Sequence, residues 1–138
     1  MAGRNQTGGV YRVLTYDQNT TINNFVYMYY ETFDIRRDML PYLFAESKEG
    51  MENYPALNFN GQNYSGIDEI KANLFTIGDT NHELTSVVGL LLNQNEKEYM
   101  VTVQGTVTIN GGEFMFSESM VLEETDKVRI VSTNCRIY

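Results

Sequence analysis

The sequence predicts an α+β domain, with helices in the first half of the chain and an antiparallel meander in the second. Three observations predict it. Apolar residues recur at helical spacing between Ile22 and Phe44, four long runs suited to strands follow Gly78, and short polar turns join those runs. Helices followed by hairpin-linked strands belong to an architecture in which the helices pack on one face of the sheet. With 138 residues, 42% of them hydrophobic, the chain has the length of one domain and enough apolar side chains to bury a core.

Residues 1–16 are Gly-rich and aperiodic, so they are expected to form a flexible arm ahead of a single domain over 17–138. From Thr20 onward Ile22, Phe25, Val26, Tyr29 and Phe33 share one helical face, and Thr20 or Thr21 offers a capping oxygen to the first turn. Asp34 interrupts this stripe and reads as the cap of a shorter second helix carrying Met39, Leu40, Leu43 and Phe44, kinked or delayed by Pro41. A polar loop over 45–55 leads to a hairpin around Asn60-Gly61, a dipeptide that tolerates positive φ at both positions. Residues 66–75 support a third helix with Ile67, Ile70, Leu74 and Phe75 on one side. Strands are expected over 82–92, 99–109, 113–123 and 127–137.

The alternation within these strands assigns their faces. Tyr99, Val101, Val103, Val107 and Ile109 point toward the helices, as do Phe114, Phe116, Met120 and Leu122; Met100, Thr102, Gln104, Thr106, Thr108, Met115, Ser117, Ser119 and Val121 point away. That second face is semi-polar and almost uncharged. A face meant only for water would carry more Lys and Glu, so this one suits burial against another protein.

The composition narrows the partners. A formal charge of −8, spread along the chain, repels a phosphate backbone and argues against direct nucleic-acid binding. The start of the chain lacks the apolar region of a signal peptide, and no stretch reaches the ~18 apolar residues of a membrane span, so a soluble intracellular protein with no membrane contact is expected. A single cysteine, Cys135, excludes an intramolecular disulfide.

Catalytic and metal chemistry find little to stand on. His82 is the sole histidine and Glu83 beside it points to the other face, so a structural role is expected. Cys135 has no neighbouring base and reads as a small strand residue. One His and one Cys give no metal-ligand spacing, and the glycine pairs match no phosphate or dinucleotide loop, so neither metal nor cofactor is expected. The pairs Asp34/Asp38 and Glu123/Glu124 are read as solvated, and Tyr27, Tyr29 and Tyr30 as core and helix flank. Glu118 stands out as a charged residue at an inward position. Arg136, on the outer face, is either a solvated strand arginine or a bidentate partner for a carboxylate across an interface.

Several ordered strings carry a resemblance. Phe25-Val-Tyr-Met-Tyr-Tyr-Glu-Thr-Phe-Asp34, Arg36-Arg37, Leu40 to Phe44, Leu57-Asn-Phe-Asn-Gly-Gln-Asn-Tyr-Ser-Gly66, Val103-Gln-Gly-Thr-Val107 and Asn134-Cys-Arg-Ile137 resemble the nuclear transport factor 2 family, in order, over residues 20–138. The resemblance implies a cone-like α+β fold of about three helices on a strongly curved, mostly antiparallel sheet, commonly dimerised through that sheet. It also implies a non-catalytic role in nucleocytoplasmic transport, in nucleus and cytoplasm and at the nuclear pore. Asn60-Gly61, Arg36-Arg37 and residues 79–86 look most like the export branch, which contains the small nuclear transport factor 2-related export subunit and its large mRNA export receptor partner. The implied partner is that large subunit, with Phe-Gly nucleoporins reached through the heterodimer. The implied interface is Thr102, Gln104, Thr106, Ser117, Ser119, Asn134 and Arg136, with Arg136 meeting an aspartate. The alternative is the homodimeric import carrier for Ran-GDP, which also binds Phe-Gly nucleoporins. Its acidic Ran contacts have no counterpart at Phe59-Asn60 or Asn110-Gly111-Gly112. Isomerases and dehydratases share the architecture, and a pocket pairing Glu118 with His82 or a tyrosine would favour that chemistry.

Overall fold

The computed structural model describes residues 12–47, 50, 54–93 and 97–138. Residues 1–11 of the arm expected over 1–16, and parts of the 45–55 loop and of the turn over 93–98, lie outside the described residues. Within them, the arm's boundary moves. Arg12–Val13 form a short strand, β1, paired antiparallel with Leu90 and Leu91, and Leu14 is buried. Leu14 reaches the sheet because Gly89 has no side chain: a Cβ there would lie 2.9 Å from Leu14 Cδ1. Residues 12–16 are thus built into the fold.

The first helix, α1 (Tyr16–Ile35), begins ahead of its apolar stripe. Its cap is Thr15, not Thr20 or Thr21. Thr15 Oγ1 accepts the Gln18 N–H at 3.2 Å, and Gln18 Oε1 accepts the Thr15 N–H at 2.9 Å. The first turn is polar, so the hydrophobic period starts only once the helix is under way. Thr15→Ala leaves the Gln18 N–H without its acceptor and is expected to cost about 1 kcal/mol of unfolding free energy, measured by urea denaturation.

Ile22, Phe25, Val26, Tyr29, Tyr30 and Phe33 form the buried stripe of α1. Asp34 lies inside this helix, not at the head of the next. The chain then tightens into a 3-10 segment, Arg37–Leu43, that buries Leu40 and Pro41 and leaves Met39 largely outside. Strands β2 (Ala56–Phe59) and β3 (Gln62–Ser65) flank Asn60 and Gly61, whose φ values of 48° and 94° match the two-residue turn expected there. Helix α2 (Ile67–Asn73) runs into a 3-10 turn, Leu74–Ile77. The change of pitch keeps Leu74 inside but turns Phe75 out to 66% exposure, against the expected stripe.

Four long strands follow: β4 (Thr80–Asn93), β5 (Glu98–Ile109), β6 (Gly112–Glu124) and β7 (Val128–Ile137). The seven strands form one sheet in the order β1-β4-β5-β6-β7-β2-β3, antiparallel except where β2 runs parallel to β7. Register shifts at Leu84/Ser86 and Val121/Leu122 bend it. The core between helices and sheet holds Tyr29, Leu40, Leu57, Leu74, Tyr99, Met120, Leu122 and Ile130. Tyr99, Val101, Val103, Val107, Phe116, Met120 and Leu122 face inward as expected. Phe114 keeps that parity but lies near the start of β6 and is 40% exposed.

Candidate functional site

Cross-strand register arranges the outer face of the sheet in transverse rows, because directly paired residues share a face. One row runs Val88, Thr102, Ser119, Asn134, Asn58, Asn63; the next runs Ser86, Gln104, Ser117, Arg136; a third pairs Thr106 with Met115. The seven expected interface residues therefore fall in three adjacent rows. Thr102, Gln104, Ser119, Asn134 and Arg136 are exposed, and Thr106 and Ser117 are partly so. Met115 and Val88, 66% and 54% exposed, add apolar surface. Between Met100, Ser119, Asn58, Asn63 and Asn134 the face has a hollow of about 350 Å3.

The charges of this face sit toward its margins: Glu83 opposite Thr106 on one side, and Glu98, Glu123 and Arg129 in a single row on the other. Arg136 is the cation nearest the centre, and among the described residues it has no ion pair. An uncharged centre with a charged margin is the anatomy of a protein interface.

Behind that face lies the buried carboxylate. Glu118 is 3% exposed and accepts hydrogen bonds from Tyr30 Oη at 2.7 Å, Tyr29 Oη at 3.3 Å and Thr133 Oγ1. Burial pushes its pKa up, against the pull of these hydroxyls and of His82. The tyrosines' own pKa values rise, first by burial and then by the charge of Glu118.

A second polar group joins α1 to β4. His82 Nδ1 lies 2.6 Å from Asp34 Oδ1, the His82 backbone N–H reaches Asp34 Oδ2 at 2.8 Å, and Thr80 Oγ1 donates to Oδ1 at 2.7 Å. Burial raises the Asp34 carboxyl, but these bonds outweigh it and its pKa falls. The His82 ring packs against Tyr30, Phe33 and Phe116. Arg37 completes the joint: it donates to Phe33 O at 3.0 Å, to the carbonyls of Leu74 and Gly78 and to Thr80 Oγ1, with its guanidinium 4.7 Å from the centroid of the Phe33 ring. The reading of Asp34 as a solvated cap is thereby corrected: its partners lie 46 and 48 residues along the chain, beyond any local pattern. Glu123 and Glu124 are also engaged, accepting from Tyr54 Oη and Tyr99 Oη.

A cleft of about 530 Å3 beside α1 reaches Tyr30, Asp34 and His82. Glu118 does pair with tyrosines, but it is not among the residues lining that cleft, and hydroxyl donors occupy both of its oxygens. A general acid or base must reach its substrate, so the pairing does not by itself create a catalytic site. Among the described residues, no group of three or more His, Cys, Asp or Glu side chains could hold a metal ion, and no helix is long and apolar enough to cross a membrane.

Among curated proteins, none matches this chain by sequence. Similar solved structures include nuclear transport factor 2 (Ntf2) from Cryptosporidium parvum, 22% identical with a TM-score of 0.75 over 92% of this chain and 99% of that one. A complex of the yeast deubiquitinase Ubp3 and its cofactor Bre5 contains a chain 13% identical with a TM-score of 0.74, covering 91% and 98% of the two chains. A putative scytalone dehydratase from Novosphingobium aromaticivorans is 12% identical with a TM-score of 0.70, covering 88% and 85%. These likenesses, all below 25% identity, show a common fold. The model of the nuclear transport factor 2 (NTF2) domain matches residues 21–132, from the first turns of α1 into β7, and the chain belongs to that family.

Proposed function

We propose that this protein is a non-catalytic binding subunit of nucleocytoplasmic transport, pairing through the outer face of its sheet with the large subunit of an mRNA export receptor. The observation that carries the proposal is the uncharged centre of that face, formed by Thr102, Gln104, Thr106, Ser117, Ser119 and Asn134, with Arg136 beside it and without an ion pair among the described residues. An unpaired guanidinium on such a surface suits a bidentate bond to a partner carboxylate. The heterodimer would act at the nuclear pore, moving between nucleus and cytoplasm and meeting Phe-Gly nucleoporins as a complex. A precedent for a partner-bound chain of this fold is Bre5, whose complex with Ubp3 is named above.

The test is co-purification with the candidate large subunit. Arg136→Glu is expected to abolish pairing, at least about tenfold in affinity for a buried charged pair turned repulsive, while the circular dichroism of the isolated domain stays unchanged. Undiminished pairing of that variant would remove Arg136 from the interface. The alternative, a homodimeric import carrier for Ran-GDP, predicts self-association and capture of Ran-GDP. It lacks acidic side chains at Asn60 and at Asn110-Gly111-Gly112.

A further inference from the structure

Beside one margin of the outer face, three of the chain's ten Lys and Arg residues gather around one hollow. Lys71 of α2, Lys127 of the β6–β7 turn and Arg129 of β7 line a recess of about 400 Å3, floored by apolar groups that include Pro41, Phe44 and Ile67. In a chain of formal charge −8 this is a local reversal of sign. The residues come from three separate parts of the sequence, 41–47, 67–71 and 127–129. Phe44 bridges to Ile130, and the Ala45 N–H donates to Ile130 O at 2.8 Å, which holds the wall of the recess against β7.

Arg129 is incompletely satisfied. Among the described residues its Nε is buried without a hydrogen-bond partner, and its one ion pair is a 3.9 Å contact from Nη1 to Glu46, whose side chain is almost fully exposed. Such a pair is weak and readily displaced. Glu123, opposite Arg129 in the register, accepts the Tyr54 hydroxyl. Asp126 in the adjoining turn is exposed and does not line the recess, although Arg129 and Lys127 are near enough to help lower the pKa of its carboxyl.

We propose that this recess recognises a phosphorylated side chain of a partner protein. Among the described residues the lining carries three cations against the single carboxylate of Glu46, and that balance matches the ~−1.5 to −2 charge of a phosphoryl group better than a lone carboxylate. Arg129 supplies fork-shaped donors, and the lysines supply point charges. The apolar floor accommodates the stem or ring that bears the phosphate. None of the seven interface residues lines the recess, so the recess and the pairing surface fail or stand separately.

The test is an NMR titration of the uniformly 15N-labelled full chain with inorganic phosphate, phosphoserine, phosphotyrosine, and sodium acetate at matched ionic strength. Expected are saturable shifts at residues 44–47, Lys71, Lys127 and Arg129, with a phosphorylated amino acid binding more tightly than inorganic phosphate. Lys127→Glu, an exposed position that leaves the fold intact, is expected to weaken that binding about tenfold, and Arg129→Gln by a similar factor, the worth of one charge-assisted hydrogen bond. If Arg129→Gln does not fold, Lys127→Glu and Lys71→Glu carry the test. Non-saturating shifts, an equal response to acetate, unchanged binding by Lys127→Glu, or inorganic phosphate binding as tightly as the phosphorylated amino acids would each mean an adventitious ion only and overturn the proposal.

Discussion

Gly105→Ala is expected to cost on the order of 4 kcal/mol or more, enough to unfold a domain of ordinary marginal stability. Gly105 sits in mid-β5 opposite the register shift at Leu84/Ser86, where the β4 backbone presses into the space of a side chain. A Cβ at Gly105 would lie 2.0 Å from the carbonyl oxygen of Glu83 and 3.0 Å from Leu84 Cα. Both are backbone atoms in a hydrogen-bonded ladder, so the clash cannot be relieved by a rotamer change; β4 and β5 must separate. Gly89→Ala is the control. Its Cβ would meet the flexible end of Leu14 first, so the chain is expected to fold with a smaller loss. Thermal and urea denaturation of the two variants measures the difference. Comparable, mild effects would show that the β4 bulge adapts.

Glu118→Ala is expected to destabilise by about 3–4 kcal/mol, since it strands the buried hydroxyls of Tyr29, Tyr30 and Thr133 and leaves a void. Glu118→Gln keeps an acceptor in place and is expected to cost about 1 kcal/mol or less. The pH dependence separates charge from hydrogen bonding. Burial raises the folded-state pKa of Glu118 above its unfolded value near 4.5, so the native state holds its proton longer. The stabilising contribution is full below the unfolded value and is lost as pH rises from there through the folded pKa. Asp34 acts in the opposite sense: its folded pKa is lowered, so its contribution is present above the unfolded value of about 3.8 and is lost as pH falls through the folded one. Urea midpoints of the wild type and Glu118→Gln across this range should therefore converge at low pH and diverge, in favour of the glutamine variant, as pH rises. Parallel curves would mean that Glu118 titrates as it does in the unfolded chain.

What the sequence made legible was whatever depends on neighbours along the chain. The alternation of Tyr99, Val101 and Val103 against Met100, Thr102 and Gln104 is a local period, and the burial of β5 follows it. Asn60-Gly61 likewise carries its turn in two residues. The start of α1 was obscured because Tyr16 to Asn19 offer no apolar period, although Thr15 and Gln18 stand at capping-box spacing. Asp34 was misread because a carboxylate at the end of a helical stripe resembles a cap, whereas its partners, Thr80 and His82, arrive only when β4 docks on α1. The recess of Lys71, Lys127 and Arg129 left no trace in the sequence for the same reason: each residue is unremarkable locally, and only folding brings them to one wall. Gly105 carried a readable sign, since glycine inside a strand often marks a close backbone approach.

The strict sidedness of β5 and β6 has a consequence for how such a domain could change over time. Even-numbered residues of β5 from Met100 to Thr106 and odd-numbered residues of β6 from Met115 to Val121 face outward, while their neighbours are committed to the core. Mutations that alter what the domain recognises and mutations that alter whether it folds therefore fall on alternate positions of the same strands. A lineage could exchange Gln104, Ser117 or Arg136, and with them its associate, without disturbing Val103 or Phe116. The scaffold can be re-addressed without being rebuilt.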